Sequence, residues 1–237
     1  MLSNKVALIT GGSKGIGFGI AEKMLENGMK VAITSRSQQA ANEAANRLKA
    51  AGHSEIIALE SDVRNLASEE AAINIVNEKW GQIDAVIANA GLGHFASIEE
   101  LTSEQWNQMI DTNLTGVFNT TKAAIPSLKK SKGYLITIAS LAGTNFFAGG
   151  SGYNATKFGL VGFSQAIMLD LRHEGVKVST IMPGSVATHF NNHEPNPADA
   201  WKIQPEDIGQ MVVDLLKMNP RTLPSKIEVR PSMPPKK

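Results

Sequence analysis

Short apolar runs alternate with longer stretches of mixed polarity along this chain. Each run places Val, Ile, Leu and Ala at neighbouring positions, which is typical of strands buried on both faces of a parallel sheet. We predict seven strands, at residues 5–10, 30–36, 55–60, 83–88, 133–139, 176–181 and 226–230.

The stretches between these strands carry the signals of helices. Thr102 and Gln105 have the spacing of a capping box, which predicts a long helix that continues through Asn113. The other predicted helices cover residues 16–27, 37–51, a stretch from about residue 66, 153–173 and 205–218. The alternation predicts an α/β fold, a single doubly wound (Rossmann) domain whose seven-stranded parallel sheet is flanked by helices.

Composition excludes several functions. Of the 237 residues, 42% are hydrophobic, which is enough for a full core. The chain has 23 Lys and Arg against 22 Asp and Glu, so no excess charge indicates a nucleic acid or a membrane surface as partner. It has no cysteine, which excludes disulfides and thiolate nucleophiles. We expect a cytoplasmic protein, because the first strand begins near Lys5 and leaves no room for a signal peptide.

A glycine-rich turn follows the first strand. Its candidate cofactor-binding residues are Gly11, Ser13, Lys14, Gly15, Ile16 and Gly17. This spacing lets the backbone approach a pyrophosphate at a helix N-terminus, where free N–H groups favour anions. The alternative is a tight strand–helix turn that binds no nucleotide.

The end of the second strand bears on the choice of cofactor. A carboxylate there would accept hydrogen bonds from a ribose hydroxyl and repel a 2′-phosphate. The sequence has Ser35 and Arg36 instead, and Lys14 adds a second cation. Arginine suits a phosphate, so NADP(H) is favoured over NAD(H), although both cations could simply be solvated surface residues.

Two further strand ends carry candidate cofactor contacts. Asp62 and Val63 follow the third strand, where Asp62 could accept from an adenine amino group or cap the next helix. Asn89, Ala90 and Gly91 follow the fourth strand, at the edge where open parallel sheets bind ligands.

Tyr153 and Lys157 are four residues apart and share one helix face. A nearby ammonium favours the phenolate and would bring the phenol pKa down from about 10 towards a useful range. An isolated pair of this kind is usually structural. The same helix is apolar over residues 158–163 on more than one face, which suits either the core or burial against another subunit.

Taken in order, these motifs resemble the short-chain dehydrogenase/reductase family, from about residue 5 to the final strand. Ser140 lies 13 residues before Tyr153, as is usual there. The resemblance implies that Tyr153 donates a proton to a carbonyl oxygen, Ser140 holds that oxygen, and Lys157 lowers the phenol pKa and binds the nicotinamide ribose. It also implies that Asn113 supports a water relay to Lys157. The implied nicotinamide-end residues are Pro183, Gly184, Val186 and Thr188.

The resemblance implies an oxidoreductase that uses NADPH to reduce a hydrophobic ketone or aldehyde, 3-oxoacyl thioesters included. The alternative is a non-catalytic NADP-binding sensor of the same fold. The candidate pocket residues are His94, Phe95, Leu141, Phe147, His189 and Phe190. They indicate a hydrophobic substrate, and we expect no metal, because no carboxylate pairs with the histidines at ligand spacing.

We interpret residues 1–237 as one NAD(P)-binding domain with a substrate-binding segment at about 185–204 and a frayed tail at 231–237. The substrate-binding segment is shorter than in common ketoacyl-carrier-protein reductases of the family, and the ending is not glycine-rich. These departures bear on the substrate and on whether the protein is a homodimer or a homotetramer.

Overall fold

Seven parallel strands form the centre of the molecule, and helices cover both faces of the sheet. The computed structural model describes residues 2–234. The strands are β1 (Val6–Ile9), β2 (Lys30–Ser35), β3 (Ile56–Glu60), β4 (Ala85–Ala88), β5 (Tyr134–Ile138), β6 (Lys177–Pro183) and β7 (Lys226–Val229). The α-helices are α1 (Gly15–Glu26), α2 (Gln38–Ala50), α3 (Leu66–Trp80), α4 (Ser103–Ile110), α5 (Gly116–Ser131), α6 (Ser151–Leu171) and α7 (Pro205–Lys217). The predicted fold class is confirmed. Residues 235–237 of the tail predicted to be frayed lie outside the described residues.

The strand order β3-β2-β1-β4-β5-β6-β7 creates a crevice beside β1. The chain moves outward from β1 to β3, returns to β4 on the other side of β1, and then moves outward in the opposite direction. Connections that diverge in this way leave a crevice at the carboxyl ends of the strands. The glycine-rich turn after β1 and Asn89 after β4 both lie at this crevice.

The two faces of the sheet bury separate apolar cores, because neighbouring residues in a strand point to opposite faces. In β1, Ala7 and Ile9 belong to a core with residues of α1, α2 and α7. Val6 and Leu8 belong to a core with residues of α3, α5 and α6. Burial on both faces explains why the strands read as continuous apolar runs.

Helices α1 and α7 approach each other through glycines. A Cβ at Gly19 would lie 2.5 Å from the carbonyl carbon of Pro205, and a Cβ at Gly209 would lie 2.5 Å from the carbonyl oxygen of Gly19. A larger residue at either glycine would push the helices apart. The contact holds the end of the predicted substrate-binding segment against the helix that follows the glycine-rich turn.

The helix predicted to run from Thr102 through Asn113 is confirmed, although its last residues are not α-helical. The capping box is confirmed, since the Gln105 amide donates to Thr102 Oγ1 at 3.1 Å and the Thr102 amide donates to Gln105 Oε1 at 3.2 Å. However, a π-helical turn, Asp111–Thr115, separates α4 from α5. Single π-turns inside helices occur frequently at functional sites, and this one carries Asn113.

Candidate functional site

The glycine-rich turn has the backbone conformation that its sequence predicts. Gly11 has φ 64° and Gly15 has φ 56°, a region that strongly favours glycine. At Gly17, a Cβ would lie 2.5 Å from the Gly11 carbonyl oxygen and 2.6 Å from Asn89 Nδ2. Glycines at these positions therefore let the chain turn sharply into α1, whose first N–H groups lack partners within the helix.

Asn89 and Ala90 hold this turn in place from the neighbouring strand β4. Asn89 Nδ2 donates to the carbonyl oxygens of Thr10 and Gly11 at 2.9 and 3.1 Å. In return, Thr10 Oγ1 accepts from the backbone amides of Asn89 and Ala90 at 3.0 and 3.1 Å. The Asn-Ala-Gly motif thus contacts the glycine-rich turn directly. The sequence predicted only that the motif lies at the ligand-binding edge of the sheet.

The ends of β2 and β3 bring more charge together than the sequence of β2 indicates. Lys14 and Arg36 are both exposed. Although β2 ends without an acid, the parallel register places Glu60 of β3 beside Ser35. Asp62 follows on the same side, close enough for Arg36 to contribute to its lowered pKa. The end of β2 itself carries no acid, as its sequence indicates, but the adjacent strand brings Glu60 and Asp62 to the same end of the sheet.

Arg64 is a third cation at this end that the sequence analysis missed. Its guanidinium binds the Asp62 carboxylate, with Nη2 to Oδ2 at 2.5 Å and Nε to Oδ1 at 2.9 Å. This hydrogen bonding is the main reason that the pKa of Asp62 is lowered. The alternative role of Asp62 as a helix cap is wrong, since Asn65 Oδ1 caps α3 by accepting from the Ala67 amide at 3.0 Å. The opposite charges of Asp62 and Arg64, two residues apart in the sequence, could have indicated this ion pair.

Ser140, Tyr153 and Lys157 meet where β5 ends against the first turns of α6. Ser140 caps a short 3₁₀ turn, and its Oγ accepts from the Ala142 amide at 3.1 Å. The Lys157 ammonium lies 5.6 Å from the centroid of the Tyr153 ring and donates to the Ile138 carbonyl oxygen at 3.2 Å. Burial lowers the pKa of Lys157 to about 8.

The pKa of Tyr153 moves in the direction opposite to the one expected from its neighbour Lys157. Burial raises this pKa to about 12, and a hydrogen bond with Ser140 opposes the rise. The side chain is only 8% exposed, so the phenolate would lose most of its hydration. In the chain by itself, desolvation outweighs any attraction from the amine, and the expected lowering is wrong.

Asn113 is completely buried in the π-turn and joins three parts of the site. Its Oδ1 accepts from the Leu92 amide and its Nδ2 donates to the Leu92 carbonyl oxygen, both at 2.8 Å. Nδ2 also donates to Thr156 Oγ1 on α6 at 3.1 Å. A Cβ at Gly91 would lie 3.3 Å from Asn113 Oδ1 and 3.6 Å from Lys157 Nζ, so these groups converge on one point. The water relay implied for Asn113 stays a prediction.

Asn154 is a site residue to which the sequence analysis assigned no role. Its Nδ2 donates to the carbonyl oxygens of Ala142 and Asn145, each at 2.7 Å. The side chain therefore ties the first turn of α6 to the 3₁₀ turn that Ser140 caps. Its place between Tyr153 and Lys157 was the only signal in the sequence.

The chain after β6 folds back over α1. The Gly184 amide donates to the Val229 carbonyl oxygen at 2.8 Å, and Val186 forms an isolated parallel bridge with Ile203. Thr188 is buried, and a Cβ at Gly15 would lie 3.4 Å from it. Of the predicted nicotinamide-end residues, Thr188 is thus placed beside the glycine-rich turn.

Two aromatic rings pack against Tyr153, and a third packs against one of them. The Phe95 and Phe190 ring centroids lie 5.4 and 5.5 Å from that of Tyr153, and the Phe147 centroid lies 5.5 Å from that of Phe95. Gly93 makes room for them, because a Cβ there would lie 2.6 Å from Phe190 Cζ. We call Phe95, Phe147 and Phe190 the aromatic cluster.

The other candidate pocket residues lie around this cluster or away from it. His94 Nε2 and Gln108 Oε1 are 2.9 Å apart, and Leu141 contacts Gly184. His189 points elsewhere and lines a cavity of about 270 Å³ together with Phe18 and Pro195.

The predicted substrate-binding segment is held together by Asp199. His193 Nε2 and Lys202 Nζ each lie 2.5 Å from one of its carboxylate oxygens. Hydrogen bonds from Lys202 and then His193 lower the pKa of Asp199 to about 2. Residues 2–234 contain no group of three or more His, Asp or Glu side chains arranged to hold a metal ion. Within the same residues, no helix is both long and apolar enough to cross a membrane.

Comparisons with known proteins agree over nearly the whole chain. The short chain dehydrogenase family model matches residues 5–198. An uncharacterized oxidoreductase of Staphylococcus aureus (strain USA300) is 34% identical over 232 residues, which cover 98% of this chain and 99% of that protein. The structure of an alcohol dehydrogenase from the archaeon Thermococcus sibiricus, complexed with 5-hydroxy-NADP, is similar with a TM-score of 0.91 and 31% identity, covering 99% of this chain and 100% of that one. An actinorhodin polyketide ketoreductase structure with NADPH has a TM-score of 0.87 and 28% identity, with 96% of each chain covered.

Proposed function

Since this chain belongs to the short-chain dehydrogenase family, a family of oxidoreductases, we propose that it reduces a hydrophobic ketone or aldehyde with NADPH. The observation that carries this proposal is the convergence of Ser140, Tyr153, Lys157 and Asn113 beside the glycine-rich turn. A protein that only binds a nucleotide needs no proton donor at this point.

The residues at the crevice fit the pyrophosphate and the 2′-phosphate of NADPH. Gly11, Gly15 and Gly17 keep the turn open at the N-terminus of α1, where a pyrophosphate would accept hydrogen bonds from backbone amides. Lys14 and Arg36 would bind a 2′-phosphate as exposed cations. The Thermococcus sibiricus and actinorhodin relatives, solved with an NADP derivative and with NADPH, support the same choice.

The chemistry divides between the cofactor and four side chains. NADPH, when bound, supplies the hydride. Tyr153 donates its phenol proton to the carbonyl oxygen of the substrate, and a pKa of about 12 keeps that proton in place until it is needed. The Ser140 hydroxyl donates a hydrogen bond to the same oxygen as negative charge develops on it.

Lys157 and Asn113 support the proton donor. Because burial holds the Lys157 pKa near 8, the amine can gain and lose a proton close to neutral pH. Asn113 fixes the Leu92 backbone through two hydrogen bonds. A proton relay from solvent to the Lys157 amine would pass beside this backbone.

The aromatic cluster supports an apolar substrate. Phe95 and Phe147 are 43% and 48% exposed, so both retain apolar surface that a substrate could cover beside the Tyr153 ring. Aliphatic or aryl ketones and aldehydes fit this surface, and 3-oxoacyl thioesters remain within the proposed class.

The test is the loss of NADPH absorbance with a panel of ketones, aldehydes and a 3-oxoacyl thioester. We expect turnover with at least one apolar carbonyl compound, and faster turnover with NADPH than with NADH. If NADPH binds but no member of the panel is reduced, the sensor function is favoured instead.

We also propose that two copies associate through α5 and α6. Phe118 and Phe158 expose 48% and 42% of their surface, and the Phe118 ring lies 6.4 Å from that of Phe163. Apolar surface of this kind on two neighbouring helices suits burial against a second copy. Light scattering at micromolar concentration should give a dimer or a tetramer, and Phe158→Glu should shift it towards the monomer. A parent protein that is already monomeric would contradict the proposal.

A further inference from the structure

A buried carboxylate lies under the end of β3, in a place that the proposed chemistry does not use. Glu69, in the first turn of α3, is only 2% exposed. Ser61 Oγ donates to its Oε1 and Thr120 Oγ1 donates to its Oε2, both at 2.6 Å. Burying a carboxylate with only hydroxyl partners is costly, so its position calls for an explanation.

The first link from Glu69 leads to the backbone at the ends of β2 and β3. The Ser61 amide donates to the Ser35 carbonyl oxygen at 2.9 Å, next to Arg36. Ser68, beside Glu69 on the same helix turn, accepts from the Asp62 amide at 3.1 Å. Glu69 and Ser68 therefore fix the direction in which Asp62 leaves the sheet.

The second link leads through α5 to Val63. Asn119 Nδ2 donates to the Val63 carbonyl oxygen at 2.8 Å, one residue before Thr120. A Cβ at Gly116 would lie 2.6 Å from Val63 Cγ2, so the helix and this side chain are in direct contact. Residues 61–63 are thus held between β2 on one side and α5 on the other, and Glu69 bonds to Ser61 in this segment and to Thr120 of α5.

We propose that Glu69 is a positioning residue for the adenosine half of NADPH. It acts through Ser61 and Thr120 to hold Asp62 and Val63 where they can contact the adenine and to keep Ser35 and Arg36 in register for the 2′-phosphate. This inference rests on the cofactor site proposed above. In this proposal Glu69 does not contact the cofactor, but it sets the affinity for the adenosine half of NADPH.

The test compares Glu69→Gln with Glu70→Gln, which changes the exposed neighbour in the same helix turn. The amide keeps the shape of Glu69 but leaves one hydroxyl without its acceptor. We expect the Kd of 2′,5′-ADP, a probe for the adenosine half, to rise about tenfold, and that of NADPH to rise by a similar factor. The Kd of reduced nicotinamide mononucleotide should stay unchanged, as should kcat at saturating NADPH. Glu70→Gln should match the parent in every measurement.

A second variant and a melting curve separate positioning from general stability. Thr120→Val removes one donor to Glu69 without changing the carboxylate, and should weaken 2′,5′-ADP in the same direction. A lower melting temperature with an unchanged Kd for 2′,5′-ADP, or an equal loss for both halves of the cofactor, would overturn the inference. If the parent itself binds neither NADPH nor 2′,5′-ADP, the proposed cofactor site is wrong instead.

Discussion

The two ends of the crevice are built on opposite physical principles. At the end of β2 and β3, Lys14, Arg36 and Arg64 are exposed, and Asp62 forms an ion pair with Arg64 that stays in contact with water. At the end of β5, Tyr153 and Lys157 are buried, and burial dominates the pKa of both. The first end can recognise a charged group, and the second can hold or move a proton.

In the proposed function, this difference separates binding from chemistry. An exposed cation that binds the phosphate contributes to cofactor affinity and does not contact the reacting atoms. A buried proton donor affects the rate of the chemical step and has little effect on the affinity for the distant phosphate. Substitutions at the two ends should therefore affect different measurements.

Removing the phenol proton at the buried end should have the largest effect. Tyr153→Phe keeps the ring and its packing but cannot donate, so kcat should fall by about 10² to 10⁴. The Kd of NADPH should stay nearly unchanged. Tyr134→Phe is the matched control, because Tyr134 is also buried but bonds to Ser179 in the core. Reduction by Tyr153→Phe at close to the parent rate would remove Tyr153 from the chemistry.

The burial of Lys157 should appear as a dependence of stability on pH. Its pKa falls from 10.5 when unfolded to about 8 when folded, so the folded state disfavours the ammonium. This cost is complete below pH 8 and disappears as the pH rises towards 10.5. From pH 7 to 9.5, the free energy of unfolding of the parent should rise by about 2 kcal/mol relative to Lys157→Met.

Urea unfolding at several pH values measures this change. The range stops at pH 9.5 because Tyr153, with its pKa raised to about 12, acts in the opposite direction once the unfolded phenol ionises near pH 10. The exposed Lys130→Met should remain parallel to the parent across the range. Parallel curves for Lys157→Met and the parent would mean that the Lys157 amine is hydrated in solution.

Removing a cation at the exposed end should change affinity alone. Arg36→Ala loses a charge-assisted hydrogen bond to the 2′-phosphate, so NADPH should bind roughly tenfold more weakly, whereas NADH, which lacks that phosphate, should be little affected. Ser35→Asp should go further, by repelling the phosphate and accepting from the ribose hydroxyls of NADH.

Dissociation constants of NADPH and NADH for each variant provide the measurement. Arg230→Ala, at the opposite edge of the sheet and paired with Glu228, is the control for a general loss of positive charge. Equal weakening of both cofactors by Arg36→Ala, or equal affinity of the parent for both, would contradict the assignment of this end to the phosphate.

Local pattern determined most of the fold. The apolar runs placed all seven strands to within a few residues, because strands buried on both faces need apolar residues at consecutive positions. Glycine spacing placed the turn after β1, since few other residues adopt the positive φ of Gly11 and Gly15. The spacing of four residues between Tyr153 and Lys157 put both side chains on one face of α6.

Register and burial decided what these groups can do, and neither is written in a local pattern. The pairing of Ser35 with Glu60 brought acids to a site where β2 alone has none. The π-turn exists where Asn113 reaches Leu92 and Thr156, which are distant in the chain. The pKa of Tyr153 rose because the surrounding fold removes water from it, and only the tertiary structure decides how much water a side chain keeps.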